Sequence, residues 1–563
     1  MSKSLSLGVY VVTAGLFAAF FVWPLAQILH GGFVDANGHF TLAFLCGVFT
    51  NSIYLEGLAN SFALAVAATA LAMAIAVPLA LVADRYAFPG KKFFLALVLM
   101  PILLPPFVGA IGVRQILGTY GVLNTLLLDL GLASVPVDWL GGPGRFCGMV
   151  ALCALGLYPI LYLNALAALA NIDPAMEEAA ENLGCRGFAR FWQITLPLMR
   201  PGLFAGGTVV FVWAFTELGV PLIFDYDRIA SVQVFNGLRE IGQNPFPYAL
   251  VTVMLAAAVS FYALGKGLFG RASYAAVAKA GHAAEERPTG WLGASACIAL
   301  FGGVTFVALL PHLAVIGVAC SSDWYGTLLP TGWTTANFSL ALGSDQTVPA
   351  ILNSLRYAGL ASLLAVVLGV GIAYVVARTK MPGRHALDAT AMLPLAVPGL
   401  VLAFGYLVMS QPGRAFAWLD PIGNPTTALV FAYAVRKLPL MVRSAVAGLE
   451  QTSVAYEEAA QNLGCPPWRA ALVVTAPLIF GNLLAGAILV FAQSMLEVSD
   501  SMLLAQKQQY FPITKAIYQL LGSLGNGPYL ASALGVWAMV FLAVTIYGAS
   551  ALLGKKLGAV FRV

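Results

Sequence analysis

The chain has 563 residues, 60% of them hydrophobic and only 9% charged. Soluble domains run roughly 45–50% apolar and about 25% charged, so this composition excludes an ordinary soluble enzyme and points to an integral membrane protein. The formal net charge of +5 carries no nucleic-acid reading, because it arises from loop residues that orient a membrane chain.

A membrane-crossing helix needs about 20 apolar residues. Twelve stretches meet that length: residues 5–29, 56–83, 93–117, 146–170, 201–223, 247–269, 291–319, 350–377, 387–409, 426–449, 481–505 and 528–553. Runs such as Leu58–Ala83 are too long and unbroken for the alternating strands of a closed barrel. The expected fold is therefore an all-α integral membrane protein of about twelve transmembrane helices. The first stretch follows Lys3 and runs through Trp23-Pro24-Leu25 to His30 without a small-residue cleavage site, so it reads as a retained helix. With the N-terminus inside, 18 of the 29 Lys and Arg residues fall on or beside inner segments and six on outer loops. This bias places both termini in the cytoplasm. The seven cysteines include no CxxC and suggest neither a metal site nor a disulfide framework.

The chain repeats itself. Leu58-Ala-Asn-Ser61 matches Ile351-Leu-Asn-Ser354, Phe88-Pro-Gly-Lys91 matches Met381-Pro-Gly-Arg384, and Pro101 and Pro105 match Pro394 and Pro398, all at an offset of 293. From Pro159/Pro439 through Pro197/Pro477 to Glu217/Glu497 the offset is 280. The difference falls in an outer loop, where length changes cheaply. Each copy contains an even number of spans, so the two six-helix halves are parallel and enclose a path at their interface. The expected organisation is a first helix and outer loop (1–55), a first transmembrane domain (56–269) and a cytoplasmic linker (270–290) holding Lys279, Glu285, Glu286, Arg287 and Pro288. A seventh helix with its outer loop (291–349), a second transmembrane domain (350–553) and a cytoplasmic tail (554–563) follow.

One polar loop is duplicated almost letter for letter. Glu177-Glu-Ala-Ala-Glu-Asn-Leu-Gly-Cys185 returns as Glu457-Glu-Ala-Ala-Gln-Asn-Leu-Gly-Cys465. Asp173-Pro174 reads as an N-cap followed by proline at the first helical position, and Ser453 is the corresponding cap. Glu177, Glu178, Glu457 and Glu458 sit where the helix dipole favours acids. Ala179, Ala180, Ala459 and Ala460 allow another surface to approach closely. Gly184 and Gly464 can end the helix in a left-handed conformation. A single copy would read as a solvated surface helix; two copies at matching places point to a two-fold symmetric partner.

Glu178-Ala-Ala, Gly184 and Ile194-Thr-Leu-Pro197, with Glu458-Ala-Ala, Gly464 and Val474-Thr-Ala-Pro477, resemble the EAA loop of ABC importer permeases. The resemblance covers nearly the whole chain as two type I permease cores. It implies that each loop is a coupling helix seated in a groove of an ATP-binding subunit, a homodimeric ABC ATPase that holds ATP and Mg, with no cofactor on this chain. It also implies a periplasmic solute-binding protein and a bacterial inner-membrane location. Leu104-Pro-Pro-Phe-Val-Gly-Ala110 and Phe215-Thr-Glu-Leu-Gly-Val-Pro221 look similar to ferric iron permeases, a group related to thiamine and 2-aminoethylphosphonate permeases. The implied solute is ferric iron or a small anionic or chelated species.

No GxxxxGK[ST] phosphate loop occurs, and no HExxH or GxSxG, so catalysis by this chain is not expected. Ionisable groups inside spans favour a bundle interior or wet cavity. Arg114, Glu217, Arg356, Arg436, Lys437, Glu497 and Asp500 are the candidates for a translocation path, Glu217 and Glu497 as an equivalent pair. The competing reading is interhelical salt bridging or snorkelling. Pro78, Pro101, Pro105, Pro106, Pro159, Pro221, Pro394, Pro398 and Pro439 are expected as hinges or static kinks. An ion- or proton-coupled carrier of two parallel halves is the rival function, and a membrane-embedded enzyme or scaffold without transport is a second.

Overall fold

The computed structural model describes residues 3–35, 37–241, 244–269 and 286–553. The expected tail 554–563 and most of the expected linker, with Lys279 and Glu285, lie outside the described residues.

Helix dominates because Ala-, Leu- and Val-rich runs satisfy their backbone groups internally, which a lipid environment demands. The first half contains α1 (Ser6–Phe33), α2 (Ser52–Arg85), α3 (Lys91–Val98), α4 (Pro106–Leu117), α5 (Val122–Asp129), α6 (Pro143–Ala170), α7 (Pro174–Asn182), α8 (Leu196–Phe215), α9 (Gly219–Ile223) and α10 (Phe246–Phe269). The second half contains α11 (Trp291–Ala319), α12 (Thr347–Arg378), α13 (Arg384–Met392), α14 (Gly399–Met409), α15 (Thr426–Glu450), α16 (Ala455–Asn462), α17 (Phe480–Met495), α18 (Ser499–Leu504), α19 (Ile513–Leu521) and α20 (Gly527–Leu553). Among the described residues, eight helices are long and apolar enough to cross a membrane, or eleven if each of three bent pairs is one span. The remaining expected stretch, 426–449, is helical as α15 but carries Arg436, Lys437 and Arg443.

Four of the expected spans are interrupted. The chain bends by 93° between Lys91–Ile102 and Pro106–Asp129, and by 95° between Arg384–Leu395 and Gly399–Met409. Pro101, Pro105 and Pro106 in one case, and Pro394 and Pro398 in the other, remove the amides that would continue the helix. A 76° bend separates Pro467–Leu478 from Phe480–Met495, just before the expected 481–505 stretch. That stretch breaks again between α17 and α18, as 201–223 does between α8 and α9. Pro78, Pro159 and Pro439 lie within continuous helices.

In each half three helices form the core: α2, α6 and α8 pack together, as do α12, α15 and α17. The first helix of each half also crosses to the other. α1 packs on α14 and α12, while α11 packs on α4. The crossings use equivalent glycines. A Cβ at Gly112 would lie 1.8 Å from the Pro311 carbonyl oxygen, and one at Gly405 would lie 2.8 Å from Pro24 Cβ. Small residues at such crossings let backbones meet where apolar solvent gives no hydrophobic drive. Two short ladders decorate the ends: β1 (Tyr86–Ala87) pairs parallel with β2 (Arg287–Pro288), and β3 (Ser321–Asp323) pairs antiparallel with β4 (Gly332–Trp333).

Candidate functional site

The duplicated loops fold alike. Asp173 accepts from Ala175 N at 3.0 Å and starts α7; Ser453 Oγ accepts from Ala455 N at 3.3 Å before α16. Both helices end in the same double hydrogen bond. Gly184 N donates to Glu181 O at 3.0 Å and Cys185 N to Ala180 O at 2.9 Å; Gly464 N donates to Gln461 O at 2.9 Å and Cys465 N to Ala460 O at 3.1 Å. Each glycine has φ +86°, as this stop requires.

The two glutamates of each motif point in different directions. Glu177 and Glu457 turn inward. Glu177 Oε1 accepts from Arg85 Nη2 at 2.5 Å and Thr195 Oγ1 at 2.6 Å. Glu457 accepts from Tyr374 OH at 2.5 Å, Thr475 Oγ1 at 2.7 Å and Arg378 Nε at 3.2 Å. Arg85 and Arg378 end the long helices α2 and α12, so each loop is latched to a long span that is not its neighbour in the chain. Thr195 and Thr475 close matching π turns, Phe191–Thr195 and Ala471–Thr475. Sequence reasoning missed these partners, although both pairs keep the repeat offsets of 293 and 280.

Glu178, Ala179, Glu458 and Ala459 are exposed, whereas Ala180 is buried and Ala460 half-buried. Leu183 and Leu463 stand 88% and 90% exposed at the glycine stops, and Phe188, Trp192, Trp468, Leu472 and Val473 are exposed beside them. Each loop therefore offers an acidic, small and apolar face on an anchored base. Among the described residues the linker braces the first loop, with Arg287 Nη2 3.8 Å from Glu181 Oε2, and it is tied to α3 by Glu286 Oε1, 2.9 Å from Lys91 Nζ.

Glu217 and Glu497 occupy equivalent helix breaks with unlike partners. Glu217 Oε1 accepts from Gly219 N at 3.0 Å and Val220 N at 3.2 Å, capping α9. Glu497 is held at 2.8 Å by both Arg436 Nη1 and Lys437 Nζ, and Arg436 Nη1 also lies 2.8 Å from Asp500 Oδ2. Two cations and two anions neutralise one another in a buried cluster, so Arg436 and Lys437 present no free positive wall. The first half has Gly156, Leu157 and Val220 at those places. A Cβ at Gly399 would lie 2.2 Å from Arg436 Cζ, and one at Gly156 would lie 2.8 Å from Pro106 Cγ. The halves thus fill the same gap from opposite sides, with a proline ring in one and a guanidinium in the other. The breaks meet across the seam, where a Cβ at Gly219 would lie 3.1 Å from Val498 Cγ1.

Arg114 and Arg356 stand apart from this cluster. Arg114 Nη1 donates to Ile223 O at 2.9 Å near the opposite end of the bundle from the duplicated loops. Arg356 is exposed on α12, and among the described residues its side chain makes no hydrogen bond or ion pair.

Known proteins are similar to this chain in sequence. The family described as binding-protein-dependent transport system inner membrane component matches residues 76–274 and again 365–551. FbpB 1 of Haemophilus influenzae is 27% identical over 501 residues, covering 85% of this chain and 75% of that one. The ferric transport system permease protein FbpB of Actinobacillus pleuropneumoniae is 26% identical, and the match covers 81% of this chain and 64% of the relative. The thiamine transport system permease protein ThiP of Escherichia coli is 24% identical, over 83% of this chain and 84% of its own length. These matches set aside both the gradient-driven carrier and the embedded enzyme. With one family match in each half, the chain belongs to the binding-protein-dependent inner membrane component family and is a fused two-half, multi-pass permease of an ABC importer.

Proposed function

We propose that this permease carries ferric iron, or a small anionic or chelated solute, across a bacterial inner membrane, driven by a homodimeric ATPase docked on the duplicated loops. The reading of the solute is supported by relatives named as ferric transport permeases. The reading of the coupling is carried by one observation: two loops of the same internal geometry, each latched to a long span, expose the same acidic and apolar face. ATP and Mg reside on the ATPase chain, and a periplasmic binding protein delivers the solute. Closure of the ATPase subunits draws the loops together, and the latches Arg85–Glu177 and Arg378–Glu457 pass that motion into α2 and α12. The halves then rock about the seam between α9 and α18, shifting the population between inward- and outward-open states.

The test is the double variant Glu178→Lys with Glu458→Lys, which reverses charge on the exposed face and leaves the latches intact. Reconstituted with its ATPase and binding protein, it should lose solute uptake at least tenfold while ATP hydrolysis persists. Uptake at the wild-type rate at equal expression would remove the coupling role from these loops.

A further inference from the structure

We infer that a cavity on the seam, at the end of the bundle opposite the duplicated loops, binds a small solute bearing an oxyanion group, carboxylate or phosphate-like. This rests on the importer reading above, whose solute it narrows.

One wall is the connection between α4 and α6, longer in the first half than its counterpart in the second. It is no slack loop. Asn124, 1% exposed, donates to Gly118 O, Thr119 O and Val137 O at 3.2, 3.0 and 2.7 Å, and accepts from Val137 N and Trp139 Nε1 at 3.0 and 2.9 Å. A buried amide so fully satisfied fixes the shape of the segment. The other wall belongs to the second half, from the β3–β4 connection. Gln115 Nε2 donates to Trp324 O at 2.9 Å, Gly326 N donates to Tyr120 O at 3.1 Å, and the Tyr120 and Tyr325 rings lie 4.8 Å apart. Between the walls is a cavity of about 350 Å³, within the size range of small-molecule sites.

Two guanidiniums line it, both held by neutral carbonyls. Arg145 Nε donates to Leu140 O at 2.8 Å and its Nη1 to Asp225 O at 3.0 Å; Arg114 Nη1 donates to Ile223 O. Carbonyl anchors orient the forks without cancelling their charge. Among the described residues, no hydrogen bond uses Arg145 Nη2 or Arg114 Nε and Nη2. Two carboxylates also line the cavity. Asp225 lies 3.6 Å from Arg114, but the two side chains are 74% and 52% exposed, which makes the pair weak. Asp138 is folded over its own turn, where a Cβ at Gly141 would meet its Oδ2 at 1.9 Å. Arg145 therefore has no carboxylate partner among the described residues. The second half carries Leu407, Pro425 and Ala505 at the places of Arg114, Arg145 and Asp225, so the site is one-sided. It is also mechanically placed. Arg145 opens α6, whose 28 residues reach about 42 Å to the first duplicated loop.

The purified full chain in lipid nanodiscs would be titrated calorimetrically with citrate, ferric citrate and inorganic phosphate. Saturable binding of at least one probe is expected, weakened tenfold or more by Arg145→Gln and by Arg114→Gln, with Arg145→Lys recovering part of the loss. Stronger binding of ferric citrate than of citrate would identify a chelate as the preferred form; the reverse would identify the free anion, and either supports the site. Absence of saturable binding by all three probes, or equal binding by both glutamine variants with wild-type melting curves, would overturn it. No ATPase enters this titration. Normal binding alongside uptake indifferent to Glu178→Lys/Glu458→Lys defeats the coupling reading alone, and lost binding sites with intact coupling defeat this one alone.

Discussion

The inward glutamate of each duplicated motif is a structural residue whose cost of removal depends on burial. At the second loop the Arg378 and Glu457 side chains are 7% and 6% exposed; at the first, Arg85 and Glu177 are each 20% exposed. Removing one partner of a buried pair leaves an uncompensated charge and costs about 3–5 kcal/mol. Glu457→Ala should therefore lower the melting temperature of the purified protein clearly more than Glu177→Ala does. Equal shifts would mean that the latches are not graded by burial. Gly399 gives a second residue-scale expectation. A methyl group there would fall 2.2 Å from Arg436 Cζ and must push the guanidinium away from Glu497 and Asp500. Gly399→Ala should destabilise the protein, and the double variant with Arg436→Ala should lose less than the sum of the two single losses, because the two changes share one gap. The duplicated motif itself was legible in the sequence because identity at a fixed offset is visible without coordinates. Its inward and outward faces were not, since Glu177 and Glu178 are the same residue type and differ only in what α2 brings beside them.

At the scale of elements, the helices followed from apolar length, while the breaks depended on which prolines act together. Pro78 and Pro159 leave α2 and α6 continuous, whereas Pro101, Pro105 and Pro106 lie at a bend of 93°. A lone proline in a long helix loses one hydrogen bond that neighbours can absorb; clustered prolines remove successive amides. The break at Glu217 has Pro221, one of the expected hinges, in the first turn of α9, whereas the equivalent break at Glu497 has no proline and could not be read from pattern alone. The first is fixed by the glutamate cap on α9, a local contact, and the second by the charge cluster at α18, which is tertiary. The glycine stops of α7 and α16 yield a further prediction. An L-residue at φ +86° is strained by roughly 1–2 kcal/mol. Gly464→Ala should speed hydrogen exchange at the amides of residues 463–465 while leaving α12 and α15 protected. Unchanged exchange at Cys465 would show that the stop does not depend on glycine.

For the whole molecule, the two halves are joined by more than the covalent chain. α1 leaves its own half to pack on α14 and α12, and α11 does the reverse on α4, so each half lacks part of its packing when the other is absent. The crossings are tight at two equivalent points, Gly112 against Pro311 and Gly405 against Pro24. A chain severed between residues 269 and 286 and produced as two co-expressed pieces should still assemble, with a tag on either half retaining the other after detergent extraction. Introducing Gly112→Leu and Gly405→Leu into those pieces forces a branched side chain against backbone atoms at both crossings, at about 1–3 kcal/mol each. Co-purification should then fall sharply, while each piece still inserts into the membrane because its own spans are unchanged. If the severed wild-type halves fail to associate, the covalent linker and not the exchanged helices holds the permease together. If the leucine pair associates as well as wild type, the halves are held together elsewhere, through the contact between α9 and α18.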